Sequence, residues 1–335
     1  MHHATLIRRI ALAAFLLCLG VVILGAYVRL SDAGLGCPDW PGCYGHLSPL
    51  GAASDAHGAF NSGKAWREML HRYAAGTLGC LIVLIAVLGV MWRRQRLVPP
   101  GLVVTLPAVL VVQAALGMMT VTWQLRPLIV SLHLLFGFTT LALLWWLVLC
   151  LGSQRAPAPE DTRGRRRLAR RLALTGLIVL CLQIALGGWT SSNYAAIACP
   201  DFPTCQGRWW PPTDFHAAYR LIGSAGINYD GGVLNSAART AIHLSHRLGA
   251  LAVTLALLAA ALTALGLRAD RTVNRAALAV LALLALQLSI GISMVLAGFP
   301  LWLATAHNAG AALLLLAVLS LTRSLRPAST RISFA

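Results

Sequence analysis

Acidic residues are scarce in this chain. Aspartate and glutamate together number 10 in 335 residues, and glutamate occurs only at Glu68 and Glu160. Charged residues of both signs make up 11%, against about 25% in a typical soluble domain. With 58% hydrophobic residues and a mean hydropathy of +0.73, there is too little polar surface for a water-soluble globule. The shortage of acid leaves a formal net charge of +17, which on its own would suit a nucleic-acid binder. Its distribution excludes that reading. The arginines gather in short segments between apolar runs, as expected when loops with excess Lys and Arg stay on the cytoplasmic side of a membrane. No nucleic-acid partner is expected. The first apolar run begins with Arg8 and Arg9, like a secretory signal, but it is too long and no small-residue cleavage site closes it. It reads as a retained helix.

What is present is a series of apolar runs of roughly 20 residues, each long enough to cross a bilayer. Eight helices are expected, at about Leu6–Leu30, Glu68–Trp92, Leu102–Trp123, Leu128–Leu151, Leu172–Thr190, Thr240–Leu267, Arg275–Ala297 and Trp302–Leu321. The two histidines at His2 and His3 fall outside them. The fold class is an all-α polytopic membrane protein. Residues 1–151 form a first four-helix half, 152–171 a basic linker with seven arginines, and 172–335 a second half. Inside segments assigned this way hold 18 of the 27 Lys and Arg residues. Both termini are therefore expected in the cytoplasm, with the long loops 31–67 and 191–239 outside.

The halves are repeats. Cys37-Pro-Asp-Trp-Pro-Gly-Cys43 matches Cys199-Pro-Asp-Phe-Pro-Thr-Cys205, each starting twelve residues after a Leu-Gly pair, Leu24-Gly25 and Leu186-Gly187. Glu68-Met-Leu-His71-Arg72 matches His243-Leu-Ser-His246-Arg247. Gln113, Gly117 and His133 match Gln287, Gly291 and His307 at identical spacing. The offset is 162 at the cysteines and 174 to 175 at the histidines, so the second long loop carries an insertion. An even number of helices per half makes these parallel repeats, related by an axis along the membrane normal.

Four histidines near the outer ends of helices 2, 4, 6 and 8 are the chemistry-bearing feature, because ionisable groups in membrane spans mark function. Two histidines facing each other across a four-helix bundle supply both axial ligands of a haem. Zinc would need more ligands on one face. Cys37/Cys43 and Cys199/Cys205 fit disulfides in an oxidising compartment, either as staples or as redox or ligand-handling groups. Cys18, Cys80, Cys150 and Cys181 lie inside apolar runs and read as small hydrophobes. The halves differ at Glu68, where the second half has His243. A carboxylate one turn from a haem-ligand histidine takes protons or stabilises positive charge. The plain alternative is an interfacial partner for Arg72 or a helix-end charge. Either His243 or His246 could ligate, and the register with His71-Arg72 favours His246.

Taken together, these residues resemble the haem A synthase family. The resemblance runs over essentially the whole chain and rests on the two four-helix halves, Glu-x-x-His-Arg at 68–72, and the histidines on helices 4, 6 and 8. It implies oxidation of a methyl group of haem o to a formyl through a hydroxylated intermediate. It implies that His71 and His133 hold the substrate haem beside Glu68, and that His246 and His307 hold a haem b cofactor. Arg72 and Arg247 are candidates to meet propionates. The cysteine pairs look like those of bacterial members, which implies the bacterial cytoplasmic membrane, a lipid surround, a haem o synthase upstream and a terminal oxidase downstream. Two rivals are a di-haem b electron-transfer protein without substrate chemistry, and a repeat-built transporter with a midplane site.

Overall fold

The computed structural model describes residues 2–51, 61–95, 97–152, 163–221, 226–267 and 271–326. Eight long helices carry the chain: α1 His2–Leu30, α2 Ser62–Met91, α3 Pro100–Thr122, α4 Pro127–Cys150, α5 Arg163–Ser192, α6 Ser236–Leu265, α7 Arg271–Leu296 and α8 Leu301–Ser324. All eight are long and apolar enough to cross a membrane, and the chain is a multi-pass membrane protein. Among the described residues the only β pairing is two isolated bridges, Cys43 with His46 and Cys205 with Arg208.

Helix starts follow local chemistry more than hydropathy. Asn61 caps α2 by accepting the Lys64 N–H at 3.0 Å, and Asn235 caps α6 by accepting the Ala238 N–H at 2.8 Å. These caps satisfy N–H groups that the first turn leaves without partners. They start α2 six residues and α6 four residues before the apolar runs expected from sequence. Pro100 and Pro127 open α3 and α4, where a proline's missing N–H costs nothing. Two further expectations are corrected. α1 includes His2 and His3, and the His3 ring stacks on Trp92 with centroids 4.1 Å apart. α5 begins at Arg163, so the second part of the expected 152–171 linker is helix: arginine is a good helix former and its stem tolerates an apolar surround. The rest of that linker, with Glu160 and Arg155, and the basic residues Arg96, Arg268 and Arg331, lie outside the described residues.

Each set of four helices closes on itself: α1–α2–α3–α4 and back to α1, then α5–α6–α7–α8 and back to α5. The halves meet through α1 with α8, α4 with α5, and α4 with α8. Exchanging the halves turns the first of these contacts into the second, as parallel repeats require. Backbone details recur as well. The α3–α4 turn has positive φ at Gln124 and Leu125, and the α7–α8 turn has it at Gly298 and Phe299.

The bundle has two layers. At the arginine-rich end the core is dry and close-packed, with Ile7, Leu141, Leu144, Leu257, Ala260 and Leu321 almost fully buried. Small residues let α5 and α6 approach. A Cβ on Gly176 would stand 2.8 Å from Leu257 Cδ2, the close helix approach by which apolar spans associate without water to drive them. Toward the loop end the helices part around a cavity.

Candidate functional site

The cavity measures about 1560 Å³ and is lined from both halves. A single small-molecule site usually occupies about 300–1,000 Å³, so this space suits something larger or more than one ligand. His71, His133, His246 and His307 all border it. They are half-buried, because the space they face is open rather than packed.

The four rings are seated alike. Each lies against a glycine of the neighbouring helix. A Cβ on Gly25 would come within 2.8 Å of His71 Cε1, on Gly117 within 3.1 Å of His133, on Gly187 within 3.2 Å of His246, and on Gly291 within 3.0 Å of His307. Any larger residue there would push the imidazole into the cavity. His246 and His307 face each other, with ring centroids 6.4 Å apart and planes at 73°.

The second half adds amides. Gln183 Nε2 lies 3.1 Å from His246 Nδ1 and donates to the His246 carbonyl at 2.8 Å. Gln287 Nε2 lies 3.3 Å from His307 Nδ1 and donates to the His307 carbonyl at 3.0 Å. In the first half the Nδ1 atoms of His71 and His133 are buried without a hydrogen-bond partner among the described residues. So are the Oε1 atoms of Gln113, Gln183 and Gln287.

Glu68 is 4% exposed and sits in the seventh position of α2, not at its start. Its Oε2 accepts the Cys37 N–H at 2.9 Å, and its Oε1 accepts from Arg72 Nη2. Arg72 also donates to the carbonyls of Asp39, Pro41 and Gly42. The second half repeats the plan with His243 in place of Glu68. Arg247 Nε donates to His243 Nε2 at 3.3 Å, and the guanidinium reaches the carbonyls of Thr204 and Asp201 at 2.7 Å each and of Cys199 at 3.3 Å. His243 is buried and packs edge-on to Phe299. It is His246 that stands opposite His307.

Both arginines therefore clasp a disulfide loop. Cys37–Cys43 and Cys199–Cys205 are closed disulfides with Cα atoms 4.7 and 4.6 Å apart, and Cys18, Cys80, Cys150 and Cys181 are free thiols. Inside each loop an aspartate gathers N–H groups. Asp39 accepts from Tyr44 and Gly45 at 2.6 and 2.9 Å. Asp201 accepts from Gln206 and Gly207 at 2.6 and 3.0 Å and from the Thr204 hydroxyl. The Thr204 hydroxyl, then the two N–H groups, hold the Asp201 carboxyl below its ordinary range, because each bond favours the charged form. Trp40, Trp209 and Trp210 are exposed on these loops, as interfacial anchors would be.

Among the described residues no group of three or more His, Cys, Asp or Glu side chains could hold a metal ion. His71, His133, His246, His307 and Glu68, the candidates singled out from the sequence, all border the cavity, and the glycines noted there only as repeat markers prove to be the seats of the four rings. Sequence reasoning missed Gln183, a lone amide in an apolar run, which is the signal that marks a polar residue in a span as functional. It also missed Arg29, a cation at the loop end of α1.

The family model for the cytochrome oxidase assembly protein COX15-CtaA matches residues 8–319. The Heme A synthase of Shewanella oneidensis is 42% identical over 95% of this chain and 95% of that protein. That of Rhizorhabdus wittichii is 28% identical over 90% and 89%, and that of Shouchella clausii 29% identical over 61% and 65%. The matched residues reach into all eight helices and include the four cavity histidines, Glu68 and both disulfides. This chain belongs to the COX15-CtaA family of cytochrome oxidase assembly proteins.

Proposed function

We propose that this protein is a haem A synthase: it oxidises a methyl group of haem o to a formyl through a hydroxylated intermediate, for assembly of a terminal oxidase. The observation that carries this reading is one shared cavity with two histidine pairs, only one of which has a buried carboxylate on the preceding helical turn.

The donor set fits haem. Two imidazoles that face each other across a four-helix bundle would hold a haem iron between them. The centroids of His246 and His307 are 6.4 Å apart. His246 and His307 would hold haem b. When bound, it supplies a one-electron redox centre in the cavity that holds the substrate. Gln183 and Gln287 lie against these two rings, and with the amide turned so that the unpartnered Oε1 faced Nδ1, each would accept the ring N–H of an imidazole that ligates through Nε2. His71 and His133, with no such amide partner, would hold the iron of haem o. Weaker outer support suits a ligand that must leave as product.

Glu68 is the reactive group of the first half. Taking the methyl to a hydroxymethyl and then to a formyl removes two electrons at each stage, so positive charge develops at that carbon and protons are released. A carboxylate fixed by Arg72 and the Cys37 N–H stabilises the charge without having to reorganise, and accepts a proton. The largely apolar lining lowers the local dielectric, which strengthens the effect. Arg72 and Arg247 border the cavity, but we read them chiefly as clamps on the disulfide loops. The charge distribution supports a cytoplasmic position for the arginine-rich end. The disulfide loops then lie outside a bacterial cytoplasmic membrane, where disulfides persist. Haem o arrives from a farnesylating synthase within the lipid phase, and the product passes to an oxidase.

The test is expression with a source of haem o, followed by extraction and separation of haems from the purified protein. Haem b together with haem o, its hydroxylated form or haem a is expected. Two equivalents of haem b alone would overturn the reading in favour of an electron carrier.

A further inference from the structure

Three arginines border the cavity: Arg29, Arg72 and Arg247. Arg72 and Arg247 direct their guanidinium groups to loop carbonyls and to the residue one turn before them. Arg29 is different. Its Nη1 donates to the Tyr194 hydroxyl at 2.9 Å and its Nη2 to the Ser191 carbonyl at 3.1 Å, while its Nε is buried with no partner among the described residues. Asp32, more than half exposed, makes a loose ion pair with Nη1 at 3.8 Å, beyond hydrogen-bond reach, and accepts from the Tyr194 hydroxyl at 3.3 Å. The guanidinium also lies over the Tyr194 ring, 4.3 Å from its centroid, and Asp230 accepts from the Tyr194 hydroxyl at 2.7 Å. A buried cation with an unused donor, held flat on an aromatic ring at the edge of a cavity, is built to receive an anion.

Its position says which anion. Gly25, on which the His71 ring rests, and Arg29 are four apart on α1 and share a face. Arg29 thus lies one turn, about 5–6 Å, from the seat of His71 toward the loop end. A haem held by His71 has its iron at the imidazole and its two carboxylates at one edge of the ring. The second half has no counterpart. The residue four after Gly187 is the neutral Ser191, and its carbonyl is one of the groups holding Arg29. The cation is therefore supplied once, by the first half, and its guanidinium sits at the seam of the halves, on Ser191 and Tyr194.

Resting on the haem A synthase reading, we propose that Arg29, seated on Tyr194, is the anchor for a propionate of the substrate haem. It is a positioning residue: it fixes the rotation of the ring about the iron axis, and so decides which methyl group is presented to Glu68. Its link from α1 to the end of α5 also ties the halves together, so the test must separate anchoring from strapping.

The test compares haem o with its propionate dimethyl ester, which keeps the ring, the iron and the farnesyl chain but has no anionic edge. Binding to purified wild-type protein is followed by absorbance and turnover by haem extraction. Wild type is expected to bind haem o about tenfold or more tighter than the diester. Arg29→Gln should raise KM for haem o about tenfold with a much smaller change in kcat, and should remove the preference for the free acid. Arg29→Lys should restore part of that preference. A wild-type protein indifferent to esterification overturns the proposal without any variant. So does an Arg29→Gln protein that retains its haem b spectrum and the full preference for the acid. If wild type binds haem o yet makes no haem a, the haem A synthase reading fails, while the binding preference still decides the role of Arg29.

Discussion

A single residue divides the two halves chemically. Glu68 and His243 occupy the same place, both buried, each one turn before an arginine that clasps its own disulfide loop. Both therefore have a structural job, and only Glu68 adds a carboxylate to a histidine pair. Glu68→Gln separates the two jobs. The amide oxygen still accepts the Cys37 N–H, but the charge opposite Arg72 and beside the substrate is lost. Haem a formation is expected to fall about 10²–10³-fold, with haem o or its hydroxylated product accumulating. Membrane insertion and the haem b spectrum should be retained. Haem analysis of the purified variant is the check, and near wild-type haem a output would return Glu68 to a purely structural role. The histidines and Glu68 were legible in the sequence because the repeat prints them twice at fixed spacing. Gln183 and Arg29 were not, because their repeat counterparts, Val21 and Ser191, carry no matching group and periodicity could not pick them out.

At the scale of elements, the helices were legible as apolar runs and their ends were not. Hydropathy falls where the chain leaves the lipid, but helix persists until a cap ends it. Asn61 and Asn235 extend α2 and α6 beyond their apolar stretches, and polar arginine side chains do not stop α5. The result matters for the site. Glu68 and His71 lie inside a rigid helix instead of at a fraying end, and a fixed geometry is what transition-state stabilisation needs. The disulfide loops were legible as Cys-x5-Cys but not as aspartate-organised turns. Asp201 carries a testable consequence there. Its carboxyl is held below the ordinary range, so the folded loop binds its proton less readily than the unfolded chain does. The stabilisation is then fully present above the unfolded pKa of about 3.9, and is lost as pH falls through the lower folded value. Hydrogen exchange should find the Gln206 and Gly207 amides protected from neutral pH down to about pH 4, with protection fading only in stronger acid. Asp201→Ala should remove that protection at every pH. Protection unchanged in the variant would show that the disulfide alone shapes the loop.

For the whole molecule, the dry end and the open end have different work. The close-packed arginine-rich layer joins both halves into one core, so either half can lose its ligands without the bundle coming apart. The cavity layer is where the halves differ: amides support His246 and His307, while a carboxylate and Arg29 attend His71 and His133. The sequence pattern pointed to two histidine pairs, one in each half. That they open into one space followed only from how α1, α4, α5 and α8 meet, which no local pattern encodes. Division of labour on a shared scaffold predicts an asymmetric result from symmetric mutations. His71→Ala/His133→Ala should insert normally, keep one equivalent of haem b with its low-spin bis-histidine spectrum, and make no haem a. His246→Ala/His307→Ala should lose that spectrum and also make no haem a, since the first half then holds substrate with no redox partner beside it. Absorbance spectra and extracted haems from the two purified variants distinguish the cases. Equal loss of haem b from both would mean that the halves are interchangeable haem sites, and the asymmetry read from Glu68, Arg29, Gln183 and Gln287 would have to be abandoned.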